Sequence, residues 1–182
     1  LGETFYTAPN PPFGAVFTYY LREEVKTRRK ARLDAEKEAE KKGTEIAYPD
    51  AAALRAEARE EEPAIVLTVK DADGNVVRRL TGPVKAGIHR VAWDLRFPAP
   101  DPTSLKPGPT PVENPFYEAP AGPLAVPGTY TVSLEMRVDG ALTPLAEPQT
   151  FQVESLGLQT LKAADTKELL VFQKRTARLQ RA

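Results

Sequence analysis

Eighteen prolines punctuate this chain of 182 residues, and ten of them fall between Pro98 and Pro127. Proline fixes φ, lacks a backbone donor and breaks helix interiors. It is also confined to edges and bulges within sheets. Residues 97–127 therefore read as one long connection, and the regular structure must lie on either side of it. The connection has no Lys/Arg-flanked PxxP pattern of an SH3 ligand. A connection of this length inside a compact domain usually serves a function or lacks fixed order.

Before it and after it, short runs of β-branched and aromatic residues alternate with turn signals. Gly14 to Leu21 (GAVFTYYL) reads as a first strand, and Ala64 to Lys70 (AIVLTVK) as a second. Asp73-Gly74 then precedes Val76 to Leu80, a hairpin signal because glycine accepts the positive φ of the turn. Ile88 to Leu95 alternates so that His89, Val91, Trp93 and Leu95 share one face, with Ala92, Asp94 and Arg96 on the other. Pro127-Gly128 turns the chain into Thr129 to Val138, Asp139-Gly140 turns it again, and Leu142 to Leu145 and Gln149 to Val153 close the series. Six or seven short strands predict a mainly β domain over residues 1–157: an immunoglobulin-like antiparallel β-sandwich. The Cys–Trp–Cys pattern of antibody domains is absent, but Trp93 stands on a central strand where it can fill a core, and Asp73, Gly74 and Gly128 mark the turns.

One segment breaks the pattern. Residues 22–62 hold 11 Lys+Arg and 12 Asp+Glu, so 23 of 41 positions are charged. Helix formers dominate from Glu23 to Lys42, and Gly43 is a stop. Asp50 can cap a second helix, Ala51 to Glu62, which Pro63 ends. The expectation is a helical hairpin inserted between two strands, sealed by Val25, Leu33 and Ala39 on one helix and Leu54 and Ala58 on the other. A solvated insertion explains such charge better than a partner-binding arm. After residue 157 the chain turns helical again. Asp165 and Glu168 form a capping-box-like start, and Leu169, Phe172, Thr176 and Leu179 share a face. A lone helix of this kind over 158–182 is expected to continue in a larger protein and to pack on a neighbour there. The opening Leu1-Gly2-Glu3 likewise reads as the interior of a longer chain.

Charge and composition narrow the function. Lys+Arg and Asp+Glu are 25 each, with no basic stripe, so a nucleic-acid partner is not expected. No apolar run approaches a bilayer-crossing length, so no membrane insertion is expected. Cysteine is absent and His89 is the one histidine. That removes thiolate chemistry, Cys-based zinc sites and His-pair metal sites, and no cofactor is expected. Asp71, Asp73 and Asn75 have the D-x-D-x-N spacing of a calcium loop, but the twelfth position, which needs a bidentate acid, is Gly82. A turn explains these residues. Asp94 and Glu135 are the carboxylates that a glycosidase would need as a pair, although acids on the wet face of a sheet are common. His89 reads as a strand-end residue and Trp93 as core. Aromatics in loops are the better contact candidates: Phe116 and Tyr117 in the proline-rich stretch, Tyr6 and Phe13 in the lead-in. They suit a protein partner or a glycan.

Three stretches carry a resemblance. Asp71 to Arg78 (DADGNVVR), Gly87 to Asp94 (GIHRVAWD) and Pro127 to Val132 (PGTYTV) resemble the immunoglobulin-like domain of flagellar hook-capping proteins and C-terminal modules of secreted bacterial proteins. With Thr7 to Ala15 (TAPNPPFGA), Tyr19-Tyr20-Leu21 and Trp93 to Arg96 (WDLR), nearly the whole chain is similar to the C-terminal region of bacterial sortilin-like, BNR-repeat propeller proteins. Members of that group are often labelled glycosyl hydrolases by analogy with sialidase-type propellers. The resemblance implies an upstream propeller in the same parent chain as partner, and a periplasmic, cell-surface or secreted location. It also implies a non-catalytic accessory role, with any activity in the propeller, whose Asp-box repeats are missing here. The alternatives are a carbohydrate-binding module and, less favoured, an enzyme in its own right.

Overall fold

The computed structural model describes residues 10–46, 48–101, 120–157 and 166–181. The elements run β1 (Ala15–Leu21), α1 (Arg28–Lys42), α2 (Ala51–Arg59), β2 (Ala64–Lys70), β3 (Val76–Gly82), β4 (Gly87–Trp93), β5 (Gly128–Val138), β6 (Ala141–Pro144), β7 (Gln149–Val153) and α3 (Thr166–Arg181). Among the described residues the fold is mainly β: two antiparallel sheets and three helices.

The smaller sheet is the β1–β4 pair, with Ala15 opposite Trp93 and Leu21 opposite Gly87. The larger follows the order β3-β2-β5-β6, with β7 also on β5. β5 is long enough to serve two short strands along one edge. β7 lies opposite Gly128 to Val132 and β6 opposite Glu135 to Val138. β2 takes the other edge, from Thr131 to Arg137.

Alternation sends one set of side chains from each sheet into a shared core. Tyr19 and Leu21 of β1 pack on Ile65 and Leu67 of β2, and Val132, Leu134 and Met136 of β5 close around them. Beside this lies an aromatic cluster drawn from four strands. Trp93 is fully buried and meets Tyr130 edge-on at 5.5 Å between ring centroids and Phe151 at 6.2 Å. Phe17 meets Phe151 at 5.3 Å. The polar tips inside are satisfied. The Trp93 indole donates to the Arg96 carbonyl at 3.0 Å, the Tyr19 hydroxyl to the Pro83 carbonyl at 2.6 Å and the Tyr130 hydroxyl to the Val126 carbonyl at 2.7 Å.

The helical insertion is present, but its start and its seal differ from expectation. α1 begins at Arg28 rather than Glu23, because the Thr27 hydroxyl caps it by accepting from the Lys30 amide at 3.1 Å. Val25 lies before the helix; its amide donates to the Val84 carbonyl at 2.9 Å and its side chain packs on the core. α1 ends at Gly43, whose φ of 65° suits the left-handed cap. α2 is capped by Asp50 as expected, but it ends at Arg59, ahead of Pro63. Leu33 and Leu54 are exposed and do not seal the pair. Charge does so instead. The Arg32 guanidinium forks onto Glu57 at 2.7 and 2.9 Å and reaches Glu36 at 2.6 Å. The Glu60 carboxylate, itself nearly inaccessible, accepts from the Arg28 amide at 2.6 Å. Arg28 also pairs with Asp139 in the β5–β6 turn at 3.0 Å, which ties the base of the arm to the larger sheet.

Two tests follow from this packing. Removing residues 28–60 and joining the ends with a short glycine–serine bridge takes away no core side chain. Cooperative unfolding followed by Trp93 fluorescence should persist, with stability within about 1 kcal/mol of the parent; a broad, non-cooperative transition would show that the arm is integral to the fold. The second concerns Tyr19 and Tyr130, whose phenols burial pushes above their ordinary range, with the Asp71 charge adding to the effect at Tyr130. A raised folded value means that their contribution is complete below the unfolded value, about 10, and is lost as pH climbs through the folded one. Tyr130→Phe should cost about 1 kcal/mol at neutral pH through the lost hydrogen bond. It should also make the alkaline fall in stability shallower, as read by denaturant titrations on either side of the transition.

Candidate functional site

The two ends of the proline-rich connection are fastened together. The Phe97 amide donates to the Pro123 carbonyl at 2.9 Å, and the Ala125 amide to the Leu95 carbonyl at 2.7 Å. Arg96 and Leu124 form an antiparallel bridge, and the Arg96 guanidinium donates to the Gly122 carbonyl at 3.0 Å. Leu95 adopts a left-handed backbone (φ 57°) and packs on the aromatic cluster. Gly122 is required here by close approach: a methyl group on it would collide with the carbonyl oxygens of Phe97 and Pro98. Residues 95–98 and 122–125 are therefore an ordered clasp.

α3 lies against this clasp. Thr166, Leu170, Lys174 and Ala177 recur at helical spacing and are half-buried. The Lys174 ammonium sits 4.1 Å from the centre of the Phe97 ring, and the Gln180 amide donates to Asp101 at 2.9 Å. Between helix, clasp and the end of β7 runs an open, mostly apolar cleft of about 520 Å³. Phe13, Leu124, Leu156, Leu169 and Leu170 supply its apolar wall, and Gln173 and Glu154 polar points on its rim. Such a cleft can hold an apolar side chain or a small ligand through burial. Among the described residues no three acidic or imidazole groups converge as a metal site requires.

The helix turns its other apolar residues outward. Phe172 is 66% and Leu179 79% accessible, and Leu169 and Val171 are about half exposed. Of the stripe expected to pack on a neighbour, Phe172, Thr176 and Leu179 face solvent, while Leu169 stands at the mouth of the cleft. A second exposed surface is the outer face of the β1–β4 pair, where Tyr20 (67% accessible) stands opposite Ile88.

The residues singled out from the sequence disperse. Phe13 lines the cleft and is 69% accessible. Tyr6, Phe116 and Tyr117 lie outside the described residues, as does Asp165 of the expected helix cap. Trp93 is core and offers no platform to a ligand. Asp73 and Gly74 form the β2–β3 turn, where Gly74 has φ 81° and its amide donates to the Asp71 carbonyl at 3.0 Å. One Asp71 carboxylate oxygen accepts from the amides of Asp73 at 3.1 Å and Asn75 at 2.8 Å, so these residues close a turn. Gly128 opens β5 opposite Val153.

Asp94 and Glu135 are not brought together. Asp94 follows the last residue of β4 and accepts from the Arg96 amide at 3.1 Å. Glu135 accepts from the Thr68 hydroxyl at 3.1 Å on the face of the larger sheet that points away from the core. His89 faces Tyr19, 5.3 Å between ring centroids, and bonds the Lys85 carbonyl at 2.7 Å through Nε2. Sequence reasoning missed Tyr20, although its place in β1, out of step with Phe17, Tyr19 and Leu21, was a signal of exposure. It also missed the cleft, which arises where segments far apart in sequence meet.

Gly122→Ala should force the clasp apart. Amide hydrogen exchange at Phe97 and Ala125 should speed up by orders of magnitude while β2 and β5 stay protected, because opening would be local. Unchanged exchange at those two amides would mean that the clasp tolerates the methyl group.

Against protein-family models, curated proteins and solved structures, the chain has no match.

Proposed function

We propose that the chain is a non-catalytic accessory module, an immunoglobulin-like sandwich within a larger exported propeller protein, that braces the propeller or mediates protein assembly. The observation that carries the interaction role is α3: it docks through one face and offers Phe172 and Leu179 to something else. Apolar residues grouped on an ordered, exposed element are the usual mark of a contact surface. Two features favour the immunoglobulin-like assignment. A buried tryptophan, Trp93, at the end of β4 in the two-stranded sheet rather than on the central strand expected, packs on the opposite sheet. A tyrosine at the start of β5, Tyr130, hydrogen-bonds the backbone four residues upstream, as in a tyrosine corner. The propeller parent and the export rest on the resemblance of residues 7–21, 71–96 and 127–132. On this reading any catalysis belongs to the propeller.

A glycan-binding role is the second reading, favoured by Tyr20 on the open face of the β1–β4 pair. A flat, exposed aromatic ring is what a sugar stacks on.

Fractionation separates these readings. Antibody raised against the chain should detect a species much larger than 20.0 kDa outside the cytoplasm of the native cells. A cytoplasmic band near 20.0 kDa would overturn the module reading. Titration with plant, host and bacterial polysaccharides should leave tyrosine fluorescence unchanged. A saturable response abolished by Tyr20→Ala would favour the glycan reading.

A further inference from the structure

We infer that the outward face of α3 is a docking surface for an acidic protein: a partner whose apolar groove is edged by carboxylates. This rests on the reading of the chain as an interaction module and specifies the surface and the chemistry of what it meets. The helix Thr166–Arg181 contains Lys167, Lys174, Arg175, Arg178 and Arg181 against the single acid Glu168, a surplus of four positive charges. The whole chain balances at 25 basic and 25 acidic residues, so the rest carries a surplus of four negative charges. Charge is thus segregated onto one helix.

The geometry divides that helix cleanly. At 100° per residue, Thr166, Leu170, Lys174 and Ala177 cover one sector, which is the half-buried one. Leu179 and Phe172 adjoin one another on the far side, with Glu168 beside them, then Arg175 and, past Val171, Arg178, while Leu169 stands at the edge next to the cleft. Among the described residues neither guanidinium has an ion-pair partner, and both are exposed. An amphipathic helix with apolar anchors and a basic border is the form that seats in a groove. Rim carboxylates would complete it, speeding encounter and fixing register. The basics border the apolar sector on one side, and the docked face lies on the other. A membrane-surface helix is better served by basics on both sides of a wider apolar face. A second copy would set basic face against basic face if the helices paired.

The test is photo-crosslinking in native cells from the full parent chain, with a benzophenone side chain at position 172 or 179 and a control at position 88 on the β1–β4 face. Positions 172 and 179 should crosslink to a protein segment that joins apolar residues to several Asp or Glu. Arg175→Glu with Arg178→Glu should reduce the yield roughly tenfold while circular dichroism and Trp93 fluorescence stay unchanged. Raising the salt concentration should act in the same direction. Crosslinks to lipid or to a second copy, or silence at 172 and 179 while 88 crosslinks, would overturn the proposal. Crosslinks to an acidic protein from a cytoplasmic 20.0 kDa chain would preserve the surface and remove the exported-propeller reading. An exported parent that is silent at 172 and 179 would do the reverse.

Discussion

The Trp93 indole is the contact on which the two sheets depend. The smaller sheet has two strands, and a two-stranded ribbon is marginal on its own. It becomes part of the fold because Trp93 at the end of β4 and Phe17 in β1 reach Tyr130 and Phe151 on the larger sheet. Aromatic pairs at these separations add about 0.5–1.5 kcal/mol each beyond the area they bury. Removal of a buried tryptophan costs about 3–5 kcal/mol, against a total stability of about 5–15 kcal/mol for a domain. The indole N–H also donates to the Arg96 carbonyl and so holds the first turn of the clasp. Core, sheet pairing and the wall of the cleft therefore meet at one side chain.

Around that core, both long excursions of the chain are closed by polar contacts. The arm is shut at its base by Arg28, Glu60 and Asp139, and along its length by the Arg32–Glu57 fork. The proline-rich stretch is shut by the backbone bonds at Leu95 and Phe97. Closing a long loop costs entropy that grows slowly with its length, so a few directed bonds at the neck suffice. The exposed pair Arg28–Asp139 contributes little by itself. What these contacts supply is a fixed direction of exit, away from the strands.

How much was legible follows from which forces act locally. β2 and β7 fall where the sequence places them, and β5 within one residue, because period-two alternation bounded by glycine and proline is a local signal. The start of α1 was misread: Glu23, Glu24 and Lys26 are good helix formers, but the Thr27 cap and the pairing of Val25 with Val84 override propensity. The seal of the arm was misread for the same kind of reason, since a thin apolar stripe suggested contact where a bidentate ion pair makes it. The cleft was not legible at all. Its walls come from Phe13, Leu124, Leu156 and Leu170, and nothing in their spacing announces that they meet.

α3 shows why an apolar stripe does not say which way a helix faces. It has two apolar sectors, Leu170 with Ala177 and Leu169 with Phe172 and Leu179. The second is larger and would be chosen as the buried one by hydrophobicity alone. The clasp selects the first: Phe97 offers its ring to Lys174 on that sector, and Asp101 its carboxylate to Gln180 at the sector's edge. Satisfying a cation and an amide thus takes precedence over burying the larger side chains, and the greater apolar area is left outward. Such an arrangement is unfavourable for the chain in isolation by roughly 25 cal/mol for each Å² left wet. It becomes favourable when another surface covers that area, and the guanidiniums of Arg175 and Arg178 nearby, without an ion-pair partner among the described residues, set the sign of the charge that surface would carry.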